Sequence, residues 1–95
     1  MEFDWSNPPF QLPPGVTQPE VEETFEDPFA IKLLPDSSRF NAQARFFNLG
    51  RTVGGKGLFT VYRTNGRMVR VILARPFTAE EGFFYERKVN QALHQ

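Results

Sequence analysis

Residues 58–74 read LFTVYRTNGRMVRVILA, two β-rich runs that meet at Asn65-Gly66. An Asn-Gly pair between such runs is typical of a two-residue type I′ hairpin, because both central residues of that turn need a positive φ. The stretch therefore predicts one strand over 58–64 and a return strand over 69–74. This hairpin is the centre of the predicted fold.

The register of the hairpin decides which side chains share a face. A two-residue loop pairs Tyr62 with Val69 and gathers mostly apolar side chains on one face, which is the better core candidate. The opposite face is mixed and carries Arg70. In this register Arg75 lies on the other side of the sheet from Arg70, and a β-bulge would alter that assignment.

Two helices are predicted on either side of the strands. The stretches TQPE at 17–20 and TAEE at 78–81 are capping boxes, in which Thr and Glu side chains satisfy backbone amides reciprocally. The first helix should run to about Phe25, where Asp27-Pro28 stops it, and the second to about Leu93. The second helix is expected to bury a stripe formed by Tyr85, Val89 and Ala92 or Leu93.

The remaining segments complete a single small domain. Two proline pairs predict an extended strap over 1–16, with a possible short strand at 3–5. Residues 29–34 and 44–51 favour two further strands, and 35–38 have a turn composition. A chain of 95 residues holds one domain. The pattern as a whole predicts an α+β fold, an antiparallel β-sheet packed with a short N-terminal helix and a C-terminal helix.

Charge is divided unevenly along the chain although the net charge is zero. Residues 1–30 hold seven of the eleven acidic residues and no Lys or Arg, whereas 31–95 carry eleven bases against four acids. The basic part indicates an anionic partner such as a nucleic acid. The alternative is that the two parts fold against each other and neutralise.

Composition excludes several classes of site. The chain has no cysteine and a single histidine near its end, so thiolate zinc sites, disulfides and cysteine nucleophiles are excluded and neither metal nor cofactor is expected. No apolar run approaches a membrane span, and the N-terminus lacks the basic region of a secretory signal. We therefore expect a cytoplasmic protein without membrane association.

The residues left for chemistry are arginine, tyrosine and glutamate. Together they suffice for metal-independent RNA cleavage, in which a 2′-hydroxyl attacks the neighbouring phosphate. Arginine stabilises the phosphorane charge, and glutamate or tyrosine moves protons. The same residues also suffice for salt bridges alone: Arg75 with Glu81 is a natural strand-to-helix pair, and Tyr85 is a natural core ring.

Several motifs carry a resemblance to one family. They are Phe3-Asp4-Trp5, Gly15-Val16, Phe25-Glu26-Asp27-Pro28, Gly50-Arg51, GLFTV at 57–61, RVILAR at 70–75, TAEE at 78–81 and Tyr85-Glu86. In order and spacing, the chain resembles the BrnT family of bacterial toxins over most of residues 1–95. The resemblance implies a RelE-like fold and a ribonuclease that inhibits translation as part of a type II toxin–antitoxin system.

The resemblance also implies partners and site residues. The partners are an RNA substrate and a cognate BrnA-like antitoxin, through which an oligomer can form. The catalytic candidates are Arg70, Arg75, Glu81 and Tyr85. RNA binding is assigned to Arg51, which the family pattern also marks, and to Lys56 and Arg63 of the basic part.

Two departures from the family pattern define an alternative. Pro13-Pro14 stand where the family usually has Lys-His, and Leu73 stands where a serine is usual. The alternative function is a catalytically degenerate BrnT-like protein that acts as an interaction or regulatory module through a sheet edge or through Phe83 and Phe84.

A third hypothesis is a nucleic-acid-binding module in which aromatic rings stack on bases. The candidate rings are Phe46, Phe47, Phe59 and Tyr62. Alternation along the strand places Phe46 and Phe47 on opposite faces, so those two rings are not expected to form one platform.

Overall fold

Five strands and two helices form the part of the chain that the computed structural model describes, residues 2–34 and 44–94. The strands are β1 (Glu2–Phe3), β2 (Ile31–Leu33), β3 (Phe46–Arg51), β4 (Gly57–Thr64) and β5 (Met68–Pro76), and the helices are α1 (Gln18–Glu26) and α2 (Ala79–Leu93). All of these elements lie where the sequence predicts them, within a few residues. The predicted turn at 35–38 lies outside the described residues.

The strands form one mixed sheet in the order β1-β5-β4-β3-β2. The pairs β2–β3, β3–β4 and β4–β5 are antiparallel, whereas β1 is parallel to β5, with Glu2 opposite Met68 and Phe3 opposite Val69. The α+β class is thus confirmed, and the prediction of a wholly antiparallel sheet is wrong at β1. A parallel pair needs a long crossover, and the chain between β1 and β5 supplies one.

Helix α1 lies against one face of the sheet. Its capping box is complete, since the Glu20 amide donates to Thr17 Oγ1 at 3.3 Å and the Thr17 amide donates to Glu20 Oε1 at 3.0 Å. The helix approaches β3 so closely that a Cβ on Gly50 would lie 2.3 Å from the carbonyl oxygen of Thr24. Asn48 Nδ2 donates to the same carbonyl at 3.3 Å, which ties the helix to the strand.

The hydrophobic core fills the space between α1 and this face of the sheet, which we call the α1 face. Val21, Leu58 and Val69 have no exposed surface there. The strap contributes rings at the margin of the core, where Phe3 contacts Phe25 edge-on at a centroid distance of 5.0 Å. The other buried members of this cluster are Val16, Phe46, Tyr62, Val71 and Ala74. Phe46 and Tyr62 are therefore core residues and do not offer rings to a ligand.

The turn of the central hairpin differs from the prediction. Gly66 has a φ of +93°, but Asn65 does not adopt a positive φ, so the turn is not type I′. Instead Asn65 Oδ1 accepts from the amides of Arg67 and Met68, both at 2.9 Å. The side chain of Asn65 thus organises a loop over residues 65–67.

The longer loop changes the pairing, and a β-bulge changes it again. Tyr62 pairs with Val71, not with Val69 as the two-residue loop predicted, whereas Val61 pairs with Leu73. Ile72 is therefore the extra residue of a bulge in β5. Beyond a bulge, alternation resumes with the opposite phase, so Leu73 faces away from α1 and is 40% exposed.

The bulge brings Arg70 and Arg75 to the same side of the sheet. Arg70 pairs with Arg63, and Arg75 pairs with Phe59, on the side that faces away from α1. The prediction that Arg70 and Arg75 lie on opposite faces is therefore wrong. We call this side, which also carries Phe47, the arginine face.

Helix α2 opens with the predicted capping box at Thr78 but buries little of its length. Tyr85 is 3% exposed and is its one fully buried residue, while Leu93 is 64% and Phe83 72% exposed. The predicted stripe is thus wrong beyond Tyr85, because Val89 is half-buried and Ala92 is exposed. Within the described residues, neither helix has the length and apolar character needed to cross a membrane.

Candidate functional site

Arg70 is held by the strap. Its Nη1 donates to Asp4 Oδ2 at 3.3 Å and to the Ser6 carbonyl at 2.9 Å, and its Nη2 donates to the Asn7 carbonyl at 2.7 Å. The hydroxyl and amide of Ser6 lower the pKa of Asp4 below its usual value, and Arg70 adds to this effect. The guanidinium thus donates to three oxygens of the strap, one of them a carboxylate oxygen.

Arg75 forms a two-pronged pair with Glu81 at the start of α2. Its Nη1 and Nη2 donate to the two carboxylate oxygens at 2.8 and 2.9 Å. The guanidinium also lies over the ring of Phe59, 4.3 Å from the centroid. Hydrogen bonds from Arg75 hold the pKa of Glu81 below its usual range, so this carboxylate is ionised at neutral pH and is a weak base.

Tyr85 belongs to a different cluster at the end of β3. Its hydroxyl donates to Asp27 Oδ2 at 2.5 Å, and the Arg51 amide donates to the same oxygen at 2.8 Å. The Arg51 guanidinium lies 4.8 Å from the centroid of the Tyr85 ring and pairs with Glu86. Burial, together with the bond to Asp27, raises the pKa of Tyr85 well above its usual value.

Asp27 is the residue of this cluster that sequence reasoning missed as part of a site. Burial alone would raise its pKa, but the hydrogen bonds from Tyr85, Arg51 and Phe29 together hold the pKa below the ordinary value. The sequence signal for Asp27 is its position, since it is an acidic residue directly after the end of α1 and before Pro28. A carboxylate just beyond the last turn of a helix can accept hydrogen bonds from neighbouring strands and helices.

Lys56 lies on the α1 side of the molecule. Its ammonium group donates to Glu20 Oε2 at 2.8 Å and to the Gly15 carbonyl. The hydrogen bond from Lys56 is the main reason that the pKa of Glu20 is lowered. Lys56 thus links the β3–β4 turn to the start of α1 and is not part of the arginine face.

Arg63 differs from the other predicted site residues. Its Nε atom is buried without a hydrogen-bond partner, and its side chain forms no ion pair with the described residues. Each of the other six donates to or accepts from a group of the chain itself. Arg63 is therefore the predicted site residue whose side chain has no charged or hydrogen-bonding partner among the described residues.

The structure brings together only part of the predicted site. Arg63, Arg70 and Arg75 share one face, with Glu81 attached to Arg75. The strand rise places Arg70 and Arg75 about 13 Å apart along β5, so they suit two phosphate groups better than one. The described residues contain no cluster of His, Asp and Glu that could hold a metal ion. The arrangement can bind phosphates, and Glu81 is a carboxylate placed to accept a proton beside the cation Arg75.

Comparison with protein-family models, with curated proteins and with solved structures finds no match to this chain. The BrnT resemblance therefore remains a prediction that rests on the sequence motifs.

Proposed function

We propose that this chain is a BrnT-like toxin of RelE-like fold, a cytoplasmic metal-independent endoribonuclease that inhibits translation and is neutralised by a BrnA-like antitoxin. The observation that supports it most is the bulge at Ile72. It places Arg75 on the same face as the opposed pair Arg63 and Arg70, where regular alternation along β5 would have placed it on the other face. Three arginines on one sheet face, with a carboxylate beside Arg70 and another beside Arg75, suit phosphodiester chemistry.

The proposed reaction uses the pair at the end of β5. The substrate phosphate replaces Glu81 as an acceptor of hydrogen bonds from Arg75. The 2′-hydroxyl oxygen then attacks phosphorus, and the proton of that hydroxyl passes to Glu81. The 5′ oxygen leaves and is protonated by water, so a cyclic phosphate forms without a metal. Tyr85 is buried, and its hydroxyl donates a hydrogen bond to Asp27. We assign Tyr85 the role of positioning Arg51 beside this site.

Induced expression in a bacterial host tests this function. We expect growth arrest and fragmented RNA from the unaltered chain, and neither from the Arg75→Gln variant. Arg87→Gln is the matched control, because Arg87 is exposed on α2 and forms no ion pair with the described residues. Intact RNA and normal growth with the unaltered, folded chain would contradict the proposal.

One observation favours a second candidate, the degenerate interaction module. Six of the seven predicted site residues are engaged by groups of the chain itself, including the paired Arg75 and Glu81 and the strap-bound Arg70. If the site is catalytically inactive for this reason, exposed apolar surface such as Phe83 is the candidate for binding a partner. Co-purification with the product of a neighbouring gene, together with intact RNA, would favour this candidate.

A further inference from the structure

Three arginines form a row across the arginine face. Arg63 on β4 lies directly opposite Arg70 on β5. On the other side of β4, Phe46 pairs with Tyr62, and extending that register by one residue brings Arg45 beside Arg63. Adjacent strands are about 4.8 Å apart, so this register gives the backbones of the three arginines neighbouring positions along one line across the strands. Arg45 did not figure among the predicted site residues.

Among the described residues, one carboxylate accompanies the three arginines of this row. Like charges directly opposite each other on a sheet repel. Asp4 contacts Arg70, but no carboxylate among the described residues contacts Arg45 or Arg63. The buried Nε of Arg63 also has no acceptor, which leaves a desolvated donor unsatisfied. An anion with several oxygen acceptors would offset the repulsion between these opposed cations.

An aromatic ring lies next to the row. Phe47 on β3 points to the same face as Arg63, is half-buried, and stacks with Phe59 at a centroid distance of 5.9 Å. Arg75 covers Phe59, whereas no cation of the described residues stacks on Phe47 beside the row. A base can stack on such a ring only when it is released from its neighbours, as in a single strand.

We infer that Arg45, Arg63 and Arg70 bind consecutive phosphates of single-stranded RNA while Phe47 stacks on one of its bases. The inference rests on the proposed function in naming RNA as the ligand of this face. It adds the strand form of the RNA and two residues, Arg45 and Phe47, that hold it. Binding along this row does not require cleavage at Arg75.

Salt-dependent binding of a fluorescent oligoribonucleotide to the full chain tests the row. Methylation of every 2′-hydroxyl prevents cleavage, so affinity is measured alone. Each phosphate contact to a single strand contributes about 0.7 to the slope of log affinity against log salt. Arg45→Gln and Arg63→Gln should each lower that slope by about this amount, and Phe47→Leu should weaken binding several-fold with the slope unchanged.

The controls separate this inference from the proposed function. Arg87→Gln should leave affinity and slope unchanged, and a duplex of the same sequence should compete poorly. Unchanged slopes for both Arg45→Gln and Arg63→Gln, or no binding by the unaltered chain, would overturn the row even if RNA cleavage is observed. Reduced slopes without any cleavage of unmodified RNA would support the row and contradict the nuclease. Arg45 is exposed and precedes β3, so its variant keeps the test valid if Arg63→Gln unfolds.

Discussion

The two faces of the sheet are built from the same strands but have opposite characters. On the α1 face, Asn48 and Thr24 are fully buried, and Asn48 donates to the Thr24 carbonyl. The one unpartnered side-chain atom there among the described residues is the neutral Thr60 Oγ1. On the arginine face, the unpartnered atom belongs to the cation Arg63. The comparison indicates that the buried polar groups of the α1 face are mostly satisfied within the chain, whereas the arginine face leaves a buried cationic donor without a partner among the described residues.

The largest effect is expected on the α1 face, at Gly50. A Cβ there would lie 2.3 Å from the Thr24 carbonyl oxygen, which is backbone and cannot rotate away. Gly50→Ala should therefore lower the free energy of unfolding by about 3 kcal/mol, measured by urea denaturation. Gly82→Ala is the control, because a Cβ at Gly82 meets no atom within 4 Å and alanine favours the helix. Equal stability of the two variants would contradict the close approach of α1.

Asn48 should give the next effect. Its replacement by alanine removes the donor to the Thr24 carbonyl and the acceptor for Lys32 Nζ, which lies 3.3 Å away. Leaving a buried carbonyl unsatisfied costs about 2 kcal/mol, and urea denaturation should show a loss of that size for Asn48→Ala. Gln91→Ala, on the exposed surface of α2, should cost little. A loss for Asn48→Ala no larger than that of the control would show that this hydrogen bond does not hold α1.

Tyr85→Phe probes the anchor of α2 at the end of β3 and should destabilise by about 1.5 kcal/mol, since a hydrogen bond to a carboxylate is lost. The raised pKa of Tyr85 means that its contribution is present below the ordinary value of 10.0 and is lost as the pH rises above it. The lowered pKa of Asp27 means that the contribution is present above the ordinary value of 3.8 and is lost as the pH falls below it.

The stability difference between wild type and Tyr85→Phe should therefore be largest between those two pH values. Urea denaturation at pH 3, 7 and 11 measures it. A difference that stays constant across this range would exclude the Tyr85–Asp27 bond as its source. RNA cleavage should survive in the variant, because a buried hydroxyl committed to Asp27 does not reach substrate.

The smallest effect is expected on the arginine face. Arg63→Gln removes one of two opposed cations, so it should raise stability by no more than about 0.5 kcal/mol. Added salt screens the same repulsion and should stabilise the wild type more than the variant. A loss of 2 kcal/mol or more would show that Arg63 supports the fold, and the contrast between the faces would then fail.

Local signals in the sequence predicted the elements of this fold well. Both capping boxes depend on side chains three residues apart, so Thr17 and Thr78 reveal the helix starts without tertiary information. The pairing register of β4 and β5 was harder to predict from the sequence. Val71, Ile72, Leu73 and Ala74 are all apolar, so the pattern alone does not show that Ala74 lies in the core while Leu73 is 40% exposed. A run of four apolar residues in a hairpin strand was nevertheless a hint that simple alternation fails.

The candidate site was predicted as a set of residue types but not as a geometry. Arg75 and Glu81 were expected to pair, and they do. Asp27 was missed because its partners Arg51 and Tyr85 are distant in sequence and meet only in the folded chain. The row through Arg45 depends on a sheet register that the predicted hairpin loop assigned differently. The residues that lie side by side in this row could therefore be identified only from the structure.

The bulge in β5 has a second consequence, for solubility. Strand β1 pairs with β5 only at Met68 and Val69, so the outer edge of β5 beyond them has no strand partner among the described residues. A long regular edge of apolar residues is a template for pairing with other copies and for aggregation. The extra residue Ile72 interrupts the regular pairing of β5 with β4 and increases the local twist of β5, which disfavours pairing of its outer edge at high concentration. The same irregularity that groups the arginines thus protects the sheet from self-association.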